Sequence, residues 1–256
     1  MPKPTRFPSG LSTRVRDSNM GAYPKPAPCN TSGYSTPSAP LGIAEYVNDF
    51  LSSVAEYTVT GSSSTFAVAN GLGGTAVMTP GGTTTATAAY VTPEAFQFVS
   101  GQNMWYRVRF ETSGIASGLV YKVGLQYGAA TTDGIWFTKA SGSTALALVS
   151  EVGSTATTLV SNVLSQFSPA QTINGISIGT AIVAAQYLDV GFHFDGTDLI
   201  VFAYDQAIYR LSAPTIGAAN TNNLTNKLLN PFFQITPTAT ETMTIDFVQA
   251  SVEVAR

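Results

Sequence analysis

The chain has one histidine, one cysteine and fifteen acidic residues, so chemistry by side chain has few places to reside. His193 lies two residues before Asp195 and four after Asp189. A Ser-His-Asp relay would have to use it, yet no Gly-x-Ser-x-Gly turn is present to present a nucleophile. A histidine-based zinc site would lack a second nitrogen or sulfur ligand at a recognisable spacing. The acids Glu94, Glu111, Asp133, Glu151, Asp189, Asp195, Asp198, Asp205, Glu241, Asp246 and Glu253 are scattered singly. No segment sets two or three of them at i, i+2, i+4, the spacing that would align a glycosidase-type carboxylate pair on one strand face. Asp133-Gly134 and Asp195-Gly196 read as turn pairs. Asp195 and Asp198 could offer oxygens to calcium, but the D-x-D-x-D-G loop is missing. GLGG at 71–74 and PGG at 80–82 are not followed by Gly-Lys-Ser/Thr and read as turns, not phosphate cradles. Trp105 and Trp136 could stack on a sugar ring, although Trp136 follows a turn on a short apolar run and fits a core equally well. On these residues the chain is expected not to be an enzyme, with no catalytic residue, metal or cofactor.

The elements that must carry these residues are strands. Residues 104–110 (MWYRVRF) alternate, with Met104, Tyr106, Val108 and Phe110 on one side and Arg107 and Arg109 on the other. Residues 119–127 repeat the pattern, placing Leu119, Tyr121, Val123, Leu125 and Tyr127 inward and Lys122 and Gln126 outward. This is the signature of an antiparallel sheet with one wet face. The clearest hairpin is 187–204, where Leu188, Val190, Phe192 and Phe194 alternate up to Asp195-Gly196 and Leu199–Tyr204 returns; Phe192 and Phe202 are both expected to point inward. At 243–254 the inward set moves from Met243, Ile245 and Phe247 to Val248, Ala250, Val252 and Val254, a parity change that predicts a bulge near Phe247 or two separate strands. Further strands are expected at 54–60, 65–69, 75–79, 84–91, 133–138, 145–151, 157–162, 207–211 and 231–236. Many short strands separated by turn residues describe a sandwich.

Composition agrees. Charged residues make up 11% of the chain against roughly 25% in an ordinary soluble domain; threonine, serine, alanine and glycine fill the difference, and threonine and the aromatics suit a pleated surface. With only Cys29 no internal disulfide can form. No apolar leader opens the sequence, no run reaches the length of a membrane span, and a net charge of −3 is no footprint for nucleic acid. Residues 41–52 (LGIAEYVNDFLS) form a linker in which Ile43, Tyr46, Val47 and Phe50, at i, i+3, i+4 and i+7, predict a short helix. Residues 53–256 form the sandwich. Residues 1–40 hold eight of fourteen prolines, which excludes helix and central strand and leaves an extended arm. Within residues 1–30, Lys3, Arg6, Arg14, Arg16 and Lys25 face Asp17 alone, so that stretch carries +4 and the rest of the chain −7. Such an arm is suited to an acidic protein surface, or second to a polyanion, with Phe7 and Tyr23 as apolar anchors and Arg6, Arg14 and Arg16 as ion-pair donors.

The hairpin VGFHFDGTDLIVFAYDQAIYRL (190–211) resembles the strand–turn–strand signature of concanavalin-like, laminin-G-like jelly rolls, and DGIWFTKASGSTALALVSEVGSTATTLVS (133–161) looks like the neighbouring part of the same sheet. The opening TRFPSGLSTR, the Pro-x-Pro stretch and IAEYVNDF are similar to head proteins of tailed bacteriophages that decorate the capsid. The resemblance implies an all-β antiparallel jelly-roll sandwich with an N-terminal arm, acting as a capsid decoration or cement protein. It would be made in the host cytoplasm and reside on the capsid exterior, a homo-oligomer (dimer or trimer) bound to the major capsid protein, with no catalytic residue to carry over. The alternative, from another class, is a carbohydrate-binding β-sandwich of a phage fibre or adhesin. Deleting residues 2–40 is expected to leave a folded domain whose Tm barely moves while its binding to particles is lost or becomes salt-labile, exposed charge pairs being screened beyond roughly 8–10 Å; co-sedimentation of full-length and truncated chains at low and high salt checks this.

Overall fold

In a computed structural model of the 256-residue chain, the residues described are 41–50, 54–69, 74–82, 86–91, 94–129, 132–173, 175–217 and 223–255. The arm residues Arg6, Phe7, Arg14, Arg16 and Tyr23 lie outside them. The described strands are, in chain order, β1 (Leu41–Asn48), β2 (Tyr57–Thr60), β3 (Thr65–Ala69), β4 (Thr75–Thr79), β5 (Thr87–Val91), β6 (Met104–Thr112), β7 (Val120–Gln126), β8 (Gly134–Lys139), β9 (Ala147–Val152) and β10 (Thr155–Val160). They continue as β11 (Gln171–Ile173), β12 (Ile176–Ile178), β13 (Leu188–Phe194), β14 (Leu199–Ala203), β15 (Gln206–Leu211), β16 (Thr215–Ile216), β17 (Asn223–Leu224), β18 (Asn230–Thr236) and β19 (Met243–Ala255).

Two antiparallel sheets enclose one core. The eight-stranded sheet runs β15-β14-β13-β6-β19-β4-β3, with β1 also paired to β19. The seven-stranded sheet runs β10-β9-β8-β7-β18-β5-β2. The alternation at 104–110 holds: Met104, Tyr106, Val108 and Phe110 are fully buried between the sheets, and Arg107 and Arg109 face out. Phe192 lies in that core, with its ring 5.3 Å from Tyr106 and 6.1 Å from Phe98. A second aromatic group, Phe50, Tyr57, Phe66 and Phe233, packs with centroids 4.9–6.1 Å apart.

The parity change in the last strand is a bulge. Its pairing with β6 shifts between Ile245 and Phe247, so Asp246 is the extra residue, and both Met243/Ile245 and Val248/Ala250/Val252 reach the core. Three expectations are corrected. Residues 41–48 form a strand, not a helix: β4 covers only Met243–Ile245 of β19, and the backbone of Val248–Ala255 finds its remaining hydrogen-bond partners in β1, from Leu41↔Ala255 to Asn48↔Val248. That demand outweighs a helical spacing of four side chains. Phe202 is paired with Gly191, on the same side as His193, and so faces away from the sandwich interior although it too is fully buried. Tyr127 lies just past the end of β7 and is 43% exposed, freed from the alternation that holds Tyr121, Val123 and Leu125 inside.

The Asp195-Gly196 reversal is a four-residue loop between Phe194 and Leu199; Gly196 has φ +90°, and Asp195 Oδ1 accepts from the backbone N–H groups of Thr197 and Asp198. Truncating Phe192 to Ala should cost about 3–5 kcal/mol, because the two sheets cannot both collapse onto the space it leaves. Urea unfolding of Phe192→Ala beside the parent chain reads this directly.

Candidate functional site

On the seven-stranded sheet the inward positions are filled by Tyr121, Val123, Leu125, Ile135, Phe137, Leu148, Phe233 and Ile235. The residues between them point to the outer face, and the strand register arranges them in rows. One row reads Tyr90, Phe232, Gly124, Trp136, Val149 across β5-β18-β7-β8-β9. The row on its loop side reads Asn230, Gln126, Gly134, Glu151. The row on its other side reads Ala88, Gln234, Lys122, Thr138, Ala147.

The two glycines make this face. Gly124 leaves a gap across which Phe232 and Trp136 meet, with centroids 6.4 Å apart and planes at 62°. At Gly134 a Cβ would come within 2.7 Å of Trp136 Cζ3 and 3.0 Å of Cε3, so the indole lies over that glycine. Lys122 Nζ stands 4.4 Å from the indole ring centre. Trp136 and Phe232 are each 1% exposed, and Lys122, Glu151, Tyr90 and Gln234 form the half-buried surface around them. Burial lowers the Lys122 pKa from its ordinary value, opposed by the nearby Glu151 carboxylate. Burial raises that of Glu151, opposed by Lys122 and reinforced by Asp133.

Beside the indole the polar groups are incompletely satisfied. Gln126 and Asn230 are cross-strand partners with no exposure. Gln126 Nε2 donates to the Gly128 carbonyl at 2.8 Å, but its Oε1 has no partner, and neither Nδ2 nor Oδ1 of Asn230 has one. Buried amide atoms left in this state cost roughly 1–3 kcal/mol per group. The loops beyond them are tied down: Tyr127 N–H donates to the Asp133 carbonyl at 2.9 Å, Asp133 Oδ1 accepts from Thr225 Oγ1 and Gly153 N–H, and Leu229 exchanges backbone hydrogen bonds with Phe96. The amides are thus held in place by a firm frame.

The outer face of the eight-stranded sheet is different. Trp105 stacks on His193 with ring centres 5.0 Å apart and planes at 3°. His193 Nε2 is 2.9 Å from Asn103 Oδ1, and Asn103 donates through its backbone N–H and its Nδ2 to Glu253 Oε2. Arg107 makes a two-pronged contact with Asp189, reaches Asp205 at 3.2 Å and lies 5.1 Å above the Phe247 ring. Arg109 pairs with Asp246 at 2.8 Å and lies 4.7 Å over Tyr187. Both arginines of β6 are paired with carboxylates on this face. His193 has an amide, not a hydroxyl nucleophile, at its hydrogen-bonding nitrogen. Asp198 is bonded to Arg210 and to the Ala213 N–H, which accounts for it as a loop residue.

Sequence reasoning listed Trp136 and placed Gln126 outward, but it joined neither to Asn230. The available signal was glycine: Gly124 and Gly134 occupy outward positions of strands where threonine or lysine is the usual occupant, and each adjoins Trp136.

No family model matches the chain, and no curated protein matches it in sequence. Solved structures do share its fold. A native glycosidic hydrolase superposes over 80% of this chain and 94% of its own, with a TM-score of 0.52 and 12% identity. A prokaryotic β-1,3-1,4-glucanase (lichenase) from a mouse hindgut metagenome matches over 80% and 98%, with a TM-score of 0.51 and 10% identity. The CBM2 module of the evolved Dit of Lactobacillus casei BL23 phage J-1 matches over 82% and 96%, with a TM-score of 0.50 and 10% identity. The fold is therefore a concanavalin-like jelly-roll sandwich, as the hairpin resemblance implied. The expectation that the chain is not an enzyme is corrected by the same comparison, because this sandwich is the fold of a glycosidic hydrolase and a glucanase. The scatter of acids along the sequence was no ground for excluding catalysis, since strands distant in sequence lie side by side in the sheets.

His193 gives this architecture a defined pH response. Burial lowers its pKa below the ordinary 6.5, opposed by Asp195 and Glu253. Below about pH 6.5 the unfolded chain takes up a proton that the folded chain refuses, so stability falls as pH drops through that value towards the folded pKa. Urea midpoints of the parent and of His193→Gln at about pH 7.5 and about pH 5.5 should show the larger drop in the parent.

Proposed function

We propose that the chain is a carbohydrate-binding β-sandwich whose ligand lies on the outer face of the seven-stranded sheet. The observation that carries the reading is the pair Gln126 and Asn230, which hold an unused acceptor, an unused donor and a further unused acceptor beside Trp136. A sugar presents hydroxyls that donate and accept in close succession, and a flat C–H surface that suits an aromatic ring. Sites for small ligands take this form, an apolar floor with a few convergent polar groups. Lys122 is the movable part. Its ammonium sits on a flexible four-carbon stem, so rotation carries it off the indole without disturbing a strand. A site whose amides await hydroxyls also rejects analogues lacking them, because the amides then stay unpaired.

A sandwich of this fold in a phage Dit supports a setting on a phage fibre or adhesin. The cement reading rests on residues 1–40 and draws nothing from this face.

The reading makes an unusual joint prediction for stability and binding. Asn230→Leu and Gln126→Met remove amide atoms that hold few or no hydrogen bonds, so each is expected to keep or raise Tm, since replacing unsatisfied polar groups with apolar ones of similar shape is neutral or stabilising. Each should lose glycan binding at least about tenfold, a difference of about 1.4 kcal/mol. A glycan array probed with the parent chain, followed by titration of its best ligand against Trp105→Phe, in which Trp136 is the sole tryptophan, provides the measurement. A change in Trp136 emission on binding is expected. A blank array, or binding undiminished in Asn230→Leu, overturns the proposal.

A further inference from the structure

The outer face of the eight-stranded sheet shelters side chains that alternation would leave wet. Phe202 stands in a row with Gly191, Arg107, Gln249 and Val47 across β14-β13-β6-β19-β1, and it is fully buried without belonging to the core between the sheets. Its neighbours in that row are Gly191, which has no side chain, and Ala207 of β15, which is exposed, so the row itself does not cover the ring. Arg107 and Asp189 form an ion pair on the same face, yet their side chains are only 26% and 16% exposed. In the next row Ser251, between Trp105 and Glu45, is fully buried as well. The two small ribbons β11-β12 and β16-β17 are engaged elsewhere, against the core through Ile173, Ile176, Ile216 and Leu224. Side chains this sheltered on the outside of a sheet have something lying over them, and because the burial is found in a single chain, the cover belongs to that chain.

Charge and reach select the segment. Glu45, Glu111, Asp189, Asp205, Asp246 and Glu253 are seated on this face with the guanidinium groups of Arg107 and Arg109, six carboxylates against two cations and so an excess of four negative charges; Arg210 and Asp198 at its edge cancel. Residues 1–30 carry +4 and bring Phe7 and Tyr23. Apart from residues 1–40, no stretch outside the described residues is longer than five. The arm enters at Leu41, at the edge of this same sheet. From Leu41 to Phe202 is four strand spacings sideways and six residues lengthwise, about 28 Å or roughly nine extended residues, so forty suffice several times over. We infer that residues 1–40 lie back across the outer face of the eight-stranded sheet of their own chain, covering Phe202 with an apolar side chain and setting arginines among the carboxylates. The sequence by itself sent this arm to another protein; the face offers it an acidic surface at home and leaves the proposed glycan face on the other sheet untouched.

The test uses the full chain. Cys29 is the sole cysteine and lies in the arm, so a single nitroxide can be attached there without altering any other residue. Amide NMR spectra of the isotope-labelled chain are compared before and after the nitroxide is reduced with ascorbate. Amide signals of β6, β13 and β14 are expected to be bleached by the nitroxide, and those of β8 and β9 in the opposite sheet to be kept. An isotope-labelled chain without nitroxide, mixed with a spin-labelled chain without isotope, should show no bleaching. Arg6→Ser, Arg14→Ser and Arg16→Ser together should restore the bleached signals and lower the Tm of the full chain by about 3 °C or more, and about 1 M salt should act in the same direction. Bleaching confined to residues beside Leu41, equal bleaching of both sheets, or a Tm unmoved by the three substitutions overturns the inference and returns the arm to a partner. Bleaching in the mixed sample makes a second copy the occupant and overturns it too.

Discussion

One inserted residue, Asp246, sets the geometry of the eight-stranded sheet. Side chains on a strand alternate with a period of two, so a thirteen-residue strand without interruption could not bury both Met243/Ile245 and Val248/Ala250/Val252. The bulge changes parity once, and both halves of β19 then face the core. The same strand holds β6 along one side and β4 and then β1 along the other. The displaced Asp246 also meets Arg109, which ties the bulge to the neighbouring strand through a charge pair. Register, core and surface pairing on this sheet all follow from that position.

The opposite sheet is governed by absence of side chain. Gly124 and Gly134 open room on a face where alternation would otherwise place polar side chains, and the room is taken by an indole and a phenyl ring. A sheet whose inner and outer faces both carry buried aromatics departs from the usual antiparallel division into a dry and a wet side. The departure is accompanied by the unsatisfied Gln126 and Asn230. Apolar residues of similar volume would cost nothing there. The unsatisfied atoms lie beside the row that holds the indole, over which Lys122 stands.

Much of the fold was legible because β alternation is local. The strands at 65–69 and 75–79, the hairpin around Asp195-Gly196 and the bulge in the last strand all follow from period two and turn chemistry. The failures share a cause. The helical spacing at 41–48 was real, but it competed with eight unpaired backbone positions on a strand two hundred residues away. Phe202 has the apolar character of a core residue, and only its pairing with Gly191 shows which side it takes. Tyr127 continued a clean pattern one residue past the end of its strand. The candidate site was the least legible part. Gln126 and Asn230 are ordinary amides in sequence, and what distinguishes them is that Gln126 Oε1 and both polar atoms of Asn230 lack partners, a property that exists only when β7 and β18 lie side by side.

The place of β19 in the sheet also bears on how the molecule is made. It is the last described strand to be synthesised, and it joins β6, β4 and β1, which precede it by more than a hundred residues. Until it leaves the ribosome, β15-β14-β13-β6 and β3-β4 are separate fragments and β1 has no partner in the sheet. The nascent chain therefore carries open strand edges and an uncovered apolar face until β19 is made, the condition under which β proteins pair with the wrong neighbour. Closure comes in one late, non-local step, with Leu41 finding Ala255 across almost the entire described sequence. A chaperone that shields the edges of β6 and β4 until β19 arrives would suppress such mispairing.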